Sequence, residues 1–64
     1  MNILNNNLKT QTIMKKVIDA DNNKLLETFQ ENETDEKVKY YESLGKWNDI
    51  SVDRDGDIIL WEDL

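Results

Sequence analysis

Acidic side chains take every second position in Asp53-Arg54-Asp55-Gly56-Asp57, and Glu62 follows five residues later. Alternate carboxylates around a glycine are what a calcium-binding loop uses. In a 12-residue calcium-loop frame starting at Ser51, Asp53 takes position 3, Asp55 position 5, Gly56 position 6, Ile58 position 8 and Glu62 position 12. The acids would supply oxygen ligands, the glycine would allow the turn, and Glu62 would bind through both oxygens. Two features depart from that frame. Position 1 is Ser51 rather than Asp, and the preceding helical pattern stops at Gly45, six residues early. What remains is weak cation binding by Asp53, Asp55 and Asp57, beside the plainer reading of solvated acids at a hairpin tip. No cofactor is otherwise expected.

A second acidic group comprises Glu27, Glu31, Glu33, Asp35 and Glu36, with no base among residues 25 to 36. Part of it suits the positive end of a helix dipole. Joined to Asp49, Asp53, Asp55, Asp57, Glu62 and Asp63, it could form one binding surface. Carboxylates spread over a rigid surface can imitate phosphates and attract a basic nucleic-acid-binding cleft over long range. The charge is unevenly placed: residues 1–24 hold four Lys and two Asp, whereas residues 25–64 hold four bases and twelve acids. The net charge of −6 therefore arises entirely beyond residue 24. It disfavours direct contact with nucleic acid, which needs clustered Lys and Arg.

The residue types that are missing narrow the chemistry. The 64 residues include no His, Cys or Pro, and one Arg. Imidazole base catalysis, thiolate chemistry, the usual zinc ligand sets and disulfides are excluded. Paired carboxylates alone could run glycosidic chemistry, but they need a cleft that so short a chain has little room to build. A non-enzymatic role is the expectation.

These side chains must be positioned by few elements. Asp55-Gly56 is a preferred dipeptide for a two-residue type I′ turn. That turn would pair Arg54 with Asp57, Val52 with Ile59 and Ile50 with Trp61, in strands over about 49–54 and 57–62. Ile59 and Trp61 would then face the core, and Ile58 and Leu60 would lie on the opposite face, either meeting side chains of the other hairpin or the N-terminal arm or forming a partner or dimer surface to which Tyr40 could contribute. Trp47 is also expected in the core. Before this hairpin, Val38, Tyr41 and Leu44 draw a helical stripe. Asn32 or Thr34 can cap its start and Gly45 can close it in the left-handed region. Residues 12–30 read best as a hairpin with a loop at 20–23, pairing Ile18 with Leu25, Met14 with Phe29, Lys16 with Glu27 and Asp19 with Lys24; a register one residue away also fits. The expected fold is a single small α+β domain, ββαββ, with two antiparallel hairpins and one helix on the sheet. The alternative is ααββ, with residues 11–31 helical. Residues 1–12, rich in Asn and Thr, would be a mobile or edge-pairing arm before a domain at 13–64.

No apolar run approaches the length of a membrane span, and residues 1–9 lack the pattern of a secretory signal, so a cytoplasmic location is expected. Seven Lys to one Arg and eight Asn fit an A/T-rich coding sequence, as in a low-GC bacterium or its phages. In size and charge the chain is similar to small acidic phage inhibitors such as anti-CRISPR proteins, although no motif aligns. The resemblance implies an anti-defence inhibitor that occludes a basic surface of another protein. Alternatives are a cation-binding hairpin and a structural or regulatory subunit of a homo-oligomer.

Overall fold

A computed structural model describes residues 13–62. The expectations for the arm at 1–12 and for Asp63 lie outside the described residues. Strands β1 (Met14–Asp19) and β2 (Lys24–Gln30) form the first hairpin, a 3-10 turn (Glu31–Glu33) leads into helix α1 (Thr34–Leu44), and β3 (Asp49–Val52) and β4 (Ile58–Trp61) form the second hairpin. The four strands make one sheet in the order β2-β1-β4-β3. Both hairpins are antiparallel, and β1 and β4 lie parallel at the centre, with Val17 beside Ile58, Ile18 beside Ile59 and Asp19 beside Leu60. This is the ββαββ arrangement. Among the described residues no helix is long and apolar enough to cross a membrane.

The first hairpin uses both registers that its sequence allows. Asp19 pairs with Lys24 and Ile18 with Leu25, and the register then shifts between Val17 and Ile18. Beyond the shift Val17 pairs with Glu27, Lys16 with Thr28, Lys15 with Phe29 and Met14 with Gln30. Leu26 is the extra residue of a β-bulge. The expected pairs Met14–Phe29 and Lys16–Glu27 are thereby replaced. The shift brings Phe29 onto the same face as Val17, where both are buried.

The second hairpin also differs from its expected register, by one residue along its whole length. Asp49 pairs with Trp61, Ile50 with Leu60, Ser51 with Ile59 and Val52 with Ile58. The cause lies in the turn. The Asp55 and Asp57 N–H groups donate to Asp53 Oδ1 at 2.9 and 3.0 Å. The Asp53 N–H donates to the Asp57 carbonyl at 2.9 Å, and the Gly56 N–H to the Asp53 carbonyl at 3.0 Å. An Asp that folds the backbone around its own carboxylate favours this longer connection over a two-residue turn. A slip of one residue exchanges the two faces of a strand. Ile58 and Leu60 are therefore fully buried, which corrects their assignment to a partner surface. Trp61, expected in the core, is 40% exposed.

Helix α1 covers one face of the sheet. Val17, Phe29, Ile58, Leu60 and Tyr41 form the core, and Val38, Trp47 and Ile50 pack against it. Each fully buried aliphatic or Phe side chain contributes about 1.5–3 kcal/mol of transfer free energy. The apolar stripe of the helix ends at Tyr41, because Leu44 is half exposed. Gly45 closes the helix with φ +66°, its N–H donating to the Glu42 carbonyl. At the other end neither Asn32 nor Thr34 acts as the side-chain cap. The 3-10 turn is held instead by a capping box between Gln30 and Glu33, and Thr34 Oγ1 donates to the Glu31 carbonyl at 2.7 Å.

Candidate protein-binding surface

The strand directions bring three chain segments to one end of the sheet. The start of β1 pairs with the end of β2, which leads into Glu31, and the tip between β3 and β4 lies alongside. Lys15 joins these segments. Its Nζ donates to the Asp55 carbonyl at 2.7 Å and lies 3.9 Å from a Glu31 carboxylate oxygen. The Lys16 N–H, from the same strand, donates to Asp57 Oδ1 at 2.9 Å. One ammonium thus ties Glu31 to the backbone of the hairpin tip, at a turn fixed by hydrogen bonds to Asp53.

Within this end, carboxylate oxygens of Asp53, Asp55 and Asp57 lie within 4.8 Å of one another. Among the described residues no base lies within ion-pair distance of any of the three; the ion pairs found are Lys15–Glu31 and Lys37–Glu27. Asp53 and Asp55 are exposed and Asp57 is half-buried. Asp35 and Glu36 lie in the first turn of α1, where the helix dipole favours them. Counting residues 31–36 and 53–57 with Lys15 and Lys16, seven acids stand against Lys15, Lys16 and Arg54, a net charge of 3 − 7 = −4 at this end. Such a field attracts a cationic surface.

Other candidate residues lie elsewhere. Asp49 and Glu62 sit at the opposite end of the sheet: Asp49 pairs with Trp61, the last residue of β4, and the Glu62 N–H donates to Asp21 Oδ2. Asp49 also lines a cleft of about 320 Å³ beside Glu42, Trp47, Asn48 and Ile50. Tyr40 is half exposed on α1, with its ring edge-on to Tyr41 at 5.0 Å. Glu33 is committed to the Gln30 N–H in the capping box.

Glu27 leaves the acidic group altogether. Its carboxylate accepts a hydrogen bond from the Tyr41 hydroxyl and another at 2.9 Å from Lys37 Nζ. The Tyr41 hydroxyl, and after it Lys37, hold the Glu27 carboxyl below its ordinary value. Burial first, then Glu27, pushes the Tyr41 hydroxyl well above its usual range. This polar contact joins β2 to α1 at the margin of the core. Lys15 and this contact both escaped the reading of the sequence. Lys15 meets Asp55 across forty residues through the parallel β1–β4 pairing, for which the chain carries no local signal.

The face of the sheet away from α1, bare in that no other described element lies on it, replaces the apolar surface expected from Ile58 and Leu60. Strand alternation places Met14 and Ile18 of β1, Leu25 of β2, and Ile59 and Trp61 of β4 on the side away from α1. Met14 and Leu25 are each 53% exposed, and Ile18 and Ile59 are half-buried neighbours at the centre. No family model, curated protein or solved structure matches the chain.

Proposed function

We propose that this chain is a small protein-binding inhibitor that presents its acidic end to a basic, nucleic-acid-binding surface of another protein and acts by occluding it. The observation that carries the reading is the cluster of Asp53, Asp55 and Asp57 carboxylates on a turn that Lys15 ties, through the Asp55 carbonyl, to Glu31. Carboxylates fixed on a hydrogen-bonded turn attract a cationic cleft, and orient on it, with little ordering cost on binding. Together with the size, the charge and the A/T-rich residue bias, this favours an anti-defence setting, a phage or mobile element acting inside a bacterial host in an anti-CRISPR-like or DNA-mimic mode.

The test is capture from a low-GC bacterial lysate by three forms of the chain, with the retained proteins identified by mass spectrometry. The forms are the wild type, Asp53→Asn/Asp55→Asn/Asp57→Asn, and Asp49→Asn/Glu62→Gln at the opposite end. A nucleic-acid-binding protein is expected to be held by the wild type and the double variant, lost by the triple variant, and released by added duplex DNA or by salt that screens charge beyond ~10 Å. Retention indifferent to salt and to the triple variant would contradict the reading.

A second reading uses the same three carboxylates, whose oxygens lie within 4.8 Å of one another, as a weak divalent-cation site. Three protein ligands are few for Ca²⁺, which takes about six to eight oxygens, so water would complete the shell. Titration of Ca²⁺ to millimolar levels, followed by the amide signals of Asp53, Asp55 and Asp57, decides it; unmoved signals exclude it.

A further inference from the structure

Beyond the acidic end, the geometry points to a second binding surface: we infer that the bare face of the sheet, centred on Ile18 and Ile59, is the interface of a symmetric homodimer. The face is apolar at its centre, with Met14, Leu25 and Trp61 around the Ile18–Ile59 pair. An exposed apolar sheet face of this kind marks an interaction site.

Charge says which occupant fits. The chain carries −6 overall, yet the side chains on this face include one base and one acid, Lys16 and Asp49, among neutral residues such as Thr28, Gln30 and Ser51. This part of the molecule can approach a second copy without setting like charges against each other. The two charged residues are also placed for self-pairing. Lys16 lies two residues before Ile18 on β1, and Asp49 pairs with Trp61, two residues beyond Ile59, on the far side of β4. They occupy diagonal corners about the apolar centre. A face-to-face dimer whose twofold axis lies in the interface plane and runs across the Lys16–Asp49 diagonal sets Lys16 of each copy opposite Asp49 of the other, the reciprocal arrangement that an isologous interface requires. A basic partner, by contrast, would find a single carboxylate here.

The area is sufficient for a modest affinity. Four strands spaced ~4.8 Å apart and advancing ~3.4 Å per residue present a face roughly 20 Å on a side. With pleats and side chains this amounts to about 600 Å² per copy, at the small end of specific interfaces. Association in the micromolar range is expected.

Sedimentation equilibrium of the full chain from micromolar to millimolar concentration tests the inference. The expected mass climbs from 7.6 kDa towards twice that value and persists in half-molar salt, because apolar burial carries the contact. Ile59→Lys should hold the mass at that of the monomer while the circular dichroism stays native. Since that variant could also disturb the sheet, the charges supply a second arm. Lys16→Glu should weaken association by about tenfold, and Lys16→Glu with Asp49→Lys should restore it. A monomer at every concentration overturns the inference, as does a dimer indifferent to Ile59→Lys or one that dissociates in high salt.

Discussion

On β4 the side chains of Ile58 and Leu60 are fully buried beneath α1, whereas those of Ile59 and Trp61, alternating with them on the same four-residue strand, point to the uncovered side. The neighbouring β1 divides likewise, with Val17 buried and Ile18 half-buried. Both faces of the sheet are thus apolar at their centres, and one helix covers one of them. Residue type does not choose between the faces. What chooses is the register of the second hairpin, set by the carboxylate of Asp53 as it gathers the N–H groups of Asp55 and Asp57. A polar turn at the acidic end therefore decides which apolar residues become core and which remain available for binding.

The largest effects should come from exchanging the roles of the two faces. Leu60→Ala, beneath the helix, is expected to cost about 3 kcal/mol, a large share of the roughly 3–10 kcal/mol available to a domain of this size. Ile59→Ala on the bare face, where the side chain is half-buried, should cost about 1–2 kcal/mol at concentrations where the chain is monomeric. Urea unfolding of both variants at micromolar concentration checks the contrast; equal costs would erase the distinction between the faces.

A smaller effect is expected from the turn. Asp53→Ala leaves two backbone donors without their acceptor and should cost about 1–2 kcal/mol, read in the same unfolding experiment. The variant should also shift the amide signals of Ile58 and Leu60, since it removes what holds the register. An unchanged stability would mean that the carboxylate does not set it.

The smallest effect concerns the edge of the covered face. Glu27 has a carboxyl pKa lowered by folding, so its contribution is present above about pH 4.5, the ordinary value, and is lost as pH falls through the lower folded value. The stability of the wild type relative to Glu27→Gln should therefore decline on acidification below that point. The difference between the two proteins cancels the general relief of acidic self-repulsion. Parallel stability curves from pH 3 to 7 would remove Glu27 from the forces joining β2 to α1.

Much of the architecture was legible because local signals agreed. Gly45 sits where the helical stripe needs a left-handed stop, and Asp21-Asn22-Asn23 interrupts an apolar pattern that otherwise admits a helix. The four-residue run Ile58-Ile59-Leu60-Trp61 carries no alternation of polarity. The expected register of the second hairpin rests on the Asp55-Gly56 dipeptide and on gathering Val52, Ile59, Ile50 and Trp61 on one face, and the Asp53 side chain outweighs both. In the first hairpin the two competing registers both occur, divided by the bulge at Leu26. The acidity of the hairpin tip and the helix start could be read directly. Their meeting at Lys15 could not, because it depends on the parallel β1–β4 pair, whose residues lie some forty positions apart. Glu27 looked like one more surface acid because its partners, Tyr41 and Lys37, reach it only once α1 packs on the sheet.

Cross-strand nuclear Overhauser contacts in the second hairpin test the central claim most directly. Backbone protons of Val52 should be closest to those of Ile58, and those of Ile50 closest to those of Leu60, with side-chain contacts from Ile58 and Leu60 to Tyr41 and Phe29. Contacts pairing Val52 with Ile59 and Ile50 with Trp61, together with side-chain contacts from Ile59 and Trp61 to Tyr41 and Phe29, would mean that β4 is turned over and would contradict the account.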